Sequence, residues 1–242
     1  MGNVKYRNFY NYANRAAKVG DRLQATSDEI STGVNSSAVL SIDTGVGSIY
    51  VEENTTIQIR SFGIANDNGR IINLSIPRGR ARLQIRKFTN RGSQLNIQTP
   101  AVVMGVRGTD YVLNVKDDGR TILSTFEGSV MTEAQNTEVL VDQGFQNQTI
   151  LGEPPSQPEP IQDNNDLEYQ VFKQFENSGH QVTLAGQVDF ANTVTIDGVE
   201  QAVDRNGQFR AVLTTNSIYR TEIKVIVSNP LGKQRIYELV IF

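Results

Sequence analysis

Cysteine is absent from the 242 residues, and histidine occurs once, at His180. The first absence removes thiol catalysis, disulfide staples and thiolate metal sites together, and it suits a reducing cytoplasm and an oxidising envelope equally. The second leaves an imidazole with no cysteine and no Gly-x-Ser-x-Gly elbow to activate, so His180 reads as a surface residue just ahead of a strand. No apolar run approaches the roughly 18 residues of a membrane-spanning helix. The opening stretch MGNVKYRNFY also lacks the apolar heart of a leader peptide. A formal charge of −3 predicts no general attraction to nucleic acid or to anionic membranes, so any such binding has to come from a local patch.

What the chain does have is alternation. Short runs rich in Val, Ile, Leu and Thr, among them GSIYVEE, TIQIRSF, RIINLSI, ARLQIRKF, DYVLNV and TILSTF, are separated by Gly, Asn and Asp. Ile57 and Ile59 alternate with Gln58 and Arg60, the period of half-buried strands. An all-β protein is expected, with its first part a roll, an irregular β-solenoid or a sandwich. The one helical candidate is Phe9–Gly20, closed by its glycine. EPPSQPEPIQDNND, residues 153–166, holds four of the seven prolines and reads as a solvated linker. That divides the chain into residues 1–152, the linker, and 167–242. In the last part Asp197-Gly198 and Asn206-Gly207 read as hairpin turns.

Between Asp67 and Asp110 there is no acid, while Arg70, Arg78, Arg80, Arg82, Arg86, Lys87, Arg91 and Arg107 all fall in that window. In a strand, Arg80, Arg82 and Arg86 share one face and Ala81, Leu83 and Ile85 the other. The row is either a solvated strand face neutralised by acids such as Glu52 and Glu53, or a site for an anionic partner such as an envelope glycan. Nucleic acid fits less well, because no aromatics interleave with the arginines. In IQTPAVVMGVRGTDYVLNV, Pro100 marks a strand entrance, and Gly105, Arg107 and Gly108 form a structural turn. Both glycines are expected to fill space or conformations closed to a side chain, with Arg107 braced inward. A P-loop is excluded by the missing Lys-Ser/Thr. Asp117-Asp118-Gly119 reads as a turn before it reads as a catalytic carboxylate pair. Asp204–Gly207 lacks the further acids a calcium loop needs. No metal, cofactor or catalytic residue is expected.

The segments IPRGRARLQI, LNIQTPAVVMGVRGTDYVLNV and EGSV, with AKVGDRL and ISTGVNSSAVLSID upstream, resemble the FecR-type domain of bacterial cell-envelope proteins over roughly Val4 to Leu151. VTLAGQVDFANTVTIDGVEQAVDRNGQFRAVL resembles the immunoglobulin-like domains, related to domain B of glucodextranase, that act as spacers or adhesion modules. The first resemblance implies a periplasmic or cell-surface protein. In the members that regulate iron uptake, a cytoplasmic helical segment and a membrane span precede the domain and control a sigma factor. The expectation is therefore a non-enzymatic binding or scaffolding protein with an envelope protein or an anionic glycan as partner. The alternative is the sensor part of a transmembrane signalling protein.

Overall fold

The computed structural model describes residues 3–8, 14–42, 46–176, 179–215 and 221–241, and among them there is no helix. The chain divides into two compact units, Met1–Pro160 and Ile161–Phe242. In the first, the strands are β1 (Val4–Arg7), β2 (Arg15–Ala16), β3 (Glu29–Thr32), β4 (Ala38–Ile42), β5 (Gly47–Val51), β6 (Thr56–Ile64) and β7 (Arg70–Ile85). They continue with β8 (Gln94–Gln98), β9 (Val103–Val106), β10 (Asp110–Val115), β11 (Thr121–Glu127), β12 (Ser129–Ala134), β13 (Thr137–Asp142), β14 (Phe145–Thr149) and β15 (Glu159–Pro160). The helical expectation for Phe9–Gly20 lies partly outside the described residues. The rest of it, from Asn14, holds β2 and a turn, because Arg15 and Ala16 pair with Tyr6 and Lys5 of β1.

β7 organises this unit. RIINLSI and ARLQIRKF, expected as separate strands, run together, because Pro77-Arg78-Gly79 turns the chain from one layer to the other without reversing it. The first half of β7 lies between β6 and β8, and the second half between β5 and β10. One layer reads β13-β12-β9-β8-β7-β6-β3-β1-β2, the other β4-β5-β7-β10-β11-β14-β15. Alternate residues from both layers meet in one core: Ile57, Leu74, Ile76, Ile97 and Met104 from the first, and Ile49, Leu83, Tyr111, Leu113 and Leu123 from the second. Each such buried aliphatic or methionine side chain stabilises the fold by about 1.5–3 kcal/mol. β7 and β8 are parallel, although only residues 86–93 join them. Parallel neighbours ordinarily need a dozen or more connecting residues. The requirement is met because only Ile71–Ser75 of β7 pairs with β8, so the crossover to Gln94 also includes the second half of β7 in the other layer.

The passages from β9 to β10 and from β11 to β12 are also corners between layers. Gly108 has φ +91° and Gly128 φ +76°. A Cβ on Gly108 would lie 2.7 Å from Lys87 Cα, and one on Gly128 would lie 2.7 Å from Gly108 O. The two corners therefore pack backbone against backbone, and neither leaves room for a side chain. Gly105 differs from its expectation. It sits in regular β9 without positive φ, and a Cβ there would meet only Asn96 Oδ1, at 3.9 Å. Pro100 lies in the turn before β9, where Thr99 Oγ1 bonds Val102 and Thr121. Arg107 is exposed and donates to Arg91 O at 2.6 Å, a brace along the surface where an inward one was expected.

The second unit contains β16 (Glu168–Glu176), β17 (Gly179–Gln187), β18 (Thr193–Ile196), β19 (Val199–Gln201), β20 (Gln208–Thr215), β21 (Thr221–Ser228) and β22 (Gln234–Ile241). Sheets β16-β17-β20 and β19-β18-β21-β22 share a core that includes Leu184, Phe209, Ile196, Val225 and Leu239. Asp197-Gly198 closes the β18–β19 hairpin, with Ile196 opposite Val199. Asn206-Gly207 closes no hairpin: it leads from β19 in one sheet to β20 in the other, with Asp204 Oδ1 accepting from Asn206 and Gln208 N–H.

Residues 153–166 are bonded within the units that flank them. Ser156 N–H donates to Gln148 O, and Glu159 pairs with Gln146. Asn165 Nδ2 donates to Val227 O at 2.7 Å, while Asn164 O accepts from Asn192 Nδ2. Residues 1–160 and 161–242, expressed separately, are expected each to unfold cooperatively on heating. A gradual, non-cooperative melt from either would show that it depends on the other. Gly108→Ala is expected to destabilise by about 1 kcal/mol or more, while Gly105→Ala leaves the melting temperature nearly unchanged. Thermal unfolding of both variants checks the contrast.

Candidate functional site

The second half of β7 carries the arginine row, and the sheet places it as alternation requires, with Ala81, Leu83 and Ile85 buried and Arg82 exposed. The row is not three free guanidiniums. Arg80 Nε lies 3.3 Å from Glu52 Oε1. Arg82 meets Asp110 in a two-pronged bond, Nε to Oδ1 at 2.9 Å and Nη2 to Oδ2 at 2.8 Å. Gln84 Nε2 adds a third donor to Asp110 Oδ2 at 3.0 Å. The Arg82 guanidinium also lies 5.3 Å from the centre of the Phe126 ring, within cation–π range. Arg86 lies beyond the end of β7 and is exposed. Glu53 takes no part, since its carboxylate accepts from Asn35 N–H.

Asp110 is the residue that reasoning from sequence missed, although it is the first acid after the acid-free window. It follows the Gly108 corner at the start of β10, directly opposite Gln84 of β7 and diagonal to Arg82. Burial pushes its carboxyl pKa up, but the bonds from Arg82 and Gln84, with the Arg82 charge, outweigh burial and hold it below the usual carboxylate value. Asp67 is a second such residue. Its carboxylate accepts from Gly92 N–H at 2.7 Å and from Gly69 N–H at 3.0 Å, and these bonds lower its pKa. It thereby pins the 90–93 loop whose Arg91 carbonyl receives Arg107.

Around the Gly108 corner lies a cleft of about 860 Å³, lined by Tyr50, Gln84, Arg86, Lys87, Asp110 and Glu127 among others. Asp110, held by Arg82, stands on its wall. Arg86 and Lys87 are exposed, and among the described residues neither forms an ion pair. The groups gathered here are a guanidinium, an ammonium, a phenol and carboxylates on sheet strands and their ends. Among the described residues no group of three or more His, Cys, Asp or Glu could hold a metal. The side chain of His180 lies outside the described residues, and its backbone belongs to β17.

Residues 28–131 match the family model described as FecR protein. This segment is similar to FecR domains. The match runs from just before β3 into β12, so the Arg82–Asp110 bond, the Gly108 corner and the cleft all lie within the matched segment. Two crystal structures of a candidate anti-sigma factor from Parabacteroides distasonis ATCC 8503, at 2.50 and 1.65 Å resolution, are also similar. Each shows 14% identity and a TM-score of 0.46 over 55% of this chain and 59% of that one. The chain thus spans about 59% of the length of the solved structures it matches. None of the curated proteins matches the sequence.

Asp110→Asn is expected to lower stability at neutral pH by about 1 kcal/mol, the pair being partly exposed. The sign with pH is set by a carboxyl pKa depressed on folding. The Asp110 contribution is present above the unfolded-state pKa and is lost as pH falls through the folded one. The gap between parent and variant should therefore close in acid, as monitored by urea unfolding across pH.

Proposed function

We propose that this chain is an extracytoplasmic part of a bacterial envelope signalling system, in which the FecR domain recognises a protein partner and catalyses nothing. The observation that carries the reading is the family match over residues 28–131, the segment that contains the cleft and its two open cations. The cleft supports recognition over catalysis, because Asp110 on its wall is already held by three hydrogen bonds from Arg82 and Gln84. The periplasm or cell surface is the location that FecR resemblance implies. Among the described residues no helix is long and apolar enough to cross a membrane. The 161–242 sandwich serves as a spacer or adhesion module of immunoglobulin type.

Recognition of an anionic polymer through an evenly spaced arginine row is the weaker reading, since Arg80 and Arg82 are already engaged with acids of their own unit. In the source bacterium, deletion of residues 28–131, or the paired change Arg86→Glu with Lys87→Glu, is expected to shift a coordinated set of transcripts, read by RNA sequencing. Unchanged transcription alongside an altered envelope would instead make the protein a scaffold.

A further inference from the structure

The outer edge of β13 ends the first layer, and among the described residues no strand pairs with it. On its outward face stand Glu138, Leu140 and Asp142, while Val139 and Val141 turn into the core. Leu140 is 46% exposed and lies directly opposite Met131 of β12, itself 37% exposed. One step along that face Glu138 lies directly opposite Glu133. Like charges placed this way repel, and among the described residues neither carboxylate forms an ion pair. Arg107, the cation just after neighbouring β9, is bonded to the Arg91 carbonyl. The edge is thus a row of unused backbone hydrogen-bonding groups beside an acid–apolar–acid face whose charges are unbalanced. β13 also lies wholly beyond the residues matched to the FecR family.

We propose that β13 is a docking edge for an extended protein segment that joins the sheet as a further strand and presents a cation, an apolar residue and a second cation on one face. A strand added at an edge gains its affinity from main-chain hydrogen bonds and its selectivity from alternate side chains. Its outward residues fall beside Glu138, Leu140 and Asp142, so lysine or arginine at the first and fifth positions answers the carboxylates, and an apolar residue at the third extends the Leu140–Met131 contact. Its second and fourth residues fall beside buried Val139 and Val141 and are apolar. A second copy of this chain is the wrong occupant, because edge-to-edge pairing through β13 sets the acids of one copy against those of the other. Charged edges also serve to prevent pairing altogether, and the experiment separates the two roles. The proposal does not depend on the signalling reading, since it concerns the ligand of the edge and not the consequence of binding.

The probes are short capped peptides containing Lys-Val-Leu-Val-Lys, the corresponding Glu-Val-Leu-Val-Glu, and the lysine peptide methylated at alternate backbone nitrogens. Their binding to the intact chain is measured by fluorescence anisotropy. The lysine peptide is expected to bind at least about tenfold more tightly than the glutamate peptide, and backbone methylation should abolish binding. The double variant Glu138→Lys, Asp142→Lys, checked for an unaltered melting temperature, should reverse the preference. No binding of the lysine peptide, a preference unchanged in the variant, or equal binding of the methylated peptide would each overturn the proposal.

Discussion

The contact on which the first unit depends is the backbone-to-backbone packing of two corners, Gly128 against Gly108 and Gly108 against Lys87. A two-layer β structure made from one chain has to carry that chain between layers, and each crossing exposes peptide groups that must be paired again at once. Here they are: Ile85 N–H bonds Thr109 O, and Gly128 O accepts from Gln143 N–H. The β11–β12 corner is thereby tied to the end of β13, and the end of β7 to the start of β10. Close packing of this kind tolerates little volume change, because the neighbouring atoms are main chain and cannot rotate away.

The same corner makes the cleft. Its walls are sheet residues held by ladder hydrogen bonds, and its charges are set by position along two strands. Arg82 and Asp110 are distant in sequence, and they meet because β7 and β10 run antiparallel with Asp110 opposite Gln84. Arg86 and Lys87 escape such pairing because the strand has ended, so no neighbouring strand brings an acid to them in register. A positively biased stretch of sequence thus becomes a braced interior half and an open terminal half. The open half faces solvent.

The two units manage their edges differently. In the first, one layer ends at β13 in an acidic, partly apolar edge, and the other layer is finished by the two-residue strand β15, drawn from the proline-rich segment. That segment looked like a linker because proline and amides rarely pack. It is used instead to cap an edge, a place where a missing N–H costs least. Its second half, with Asn164 and Asn165 bonded to Asn192, Val227 and Lys233, closes one end of the sandwich.

Much of the strand content was legible in the sequence because side-chain alternation is a local property: Ile57 and Ile59, or Ala81, Leu83 and Ile85, must share a face wherever the strand goes. Gly108 was legible for the same reason, since a tight corner demands a residue without Cβ. Gly105 looked identical and is not, because the conformation of the two glycines is decided by what packs beside each: Lys87 at one and open space at the other. The continuity of β7 through Pro77-Arg78-Gly79 was hidden, because a turn-forming tripeptide does not say whether the chain reverses or merely changes layer. The pairing of Arg82 with Asp110, and of Arg80 with Glu52, depends on register between strands distant in sequence. The sequence by itself thus determined the all-β class, the faces and the abundance of cation between residues 68 and 109. Only the tertiary structure decided which of those cations are neutralised, because charge pairing at a few ångströms is set by strand order and register, and neither is written in any local stretch.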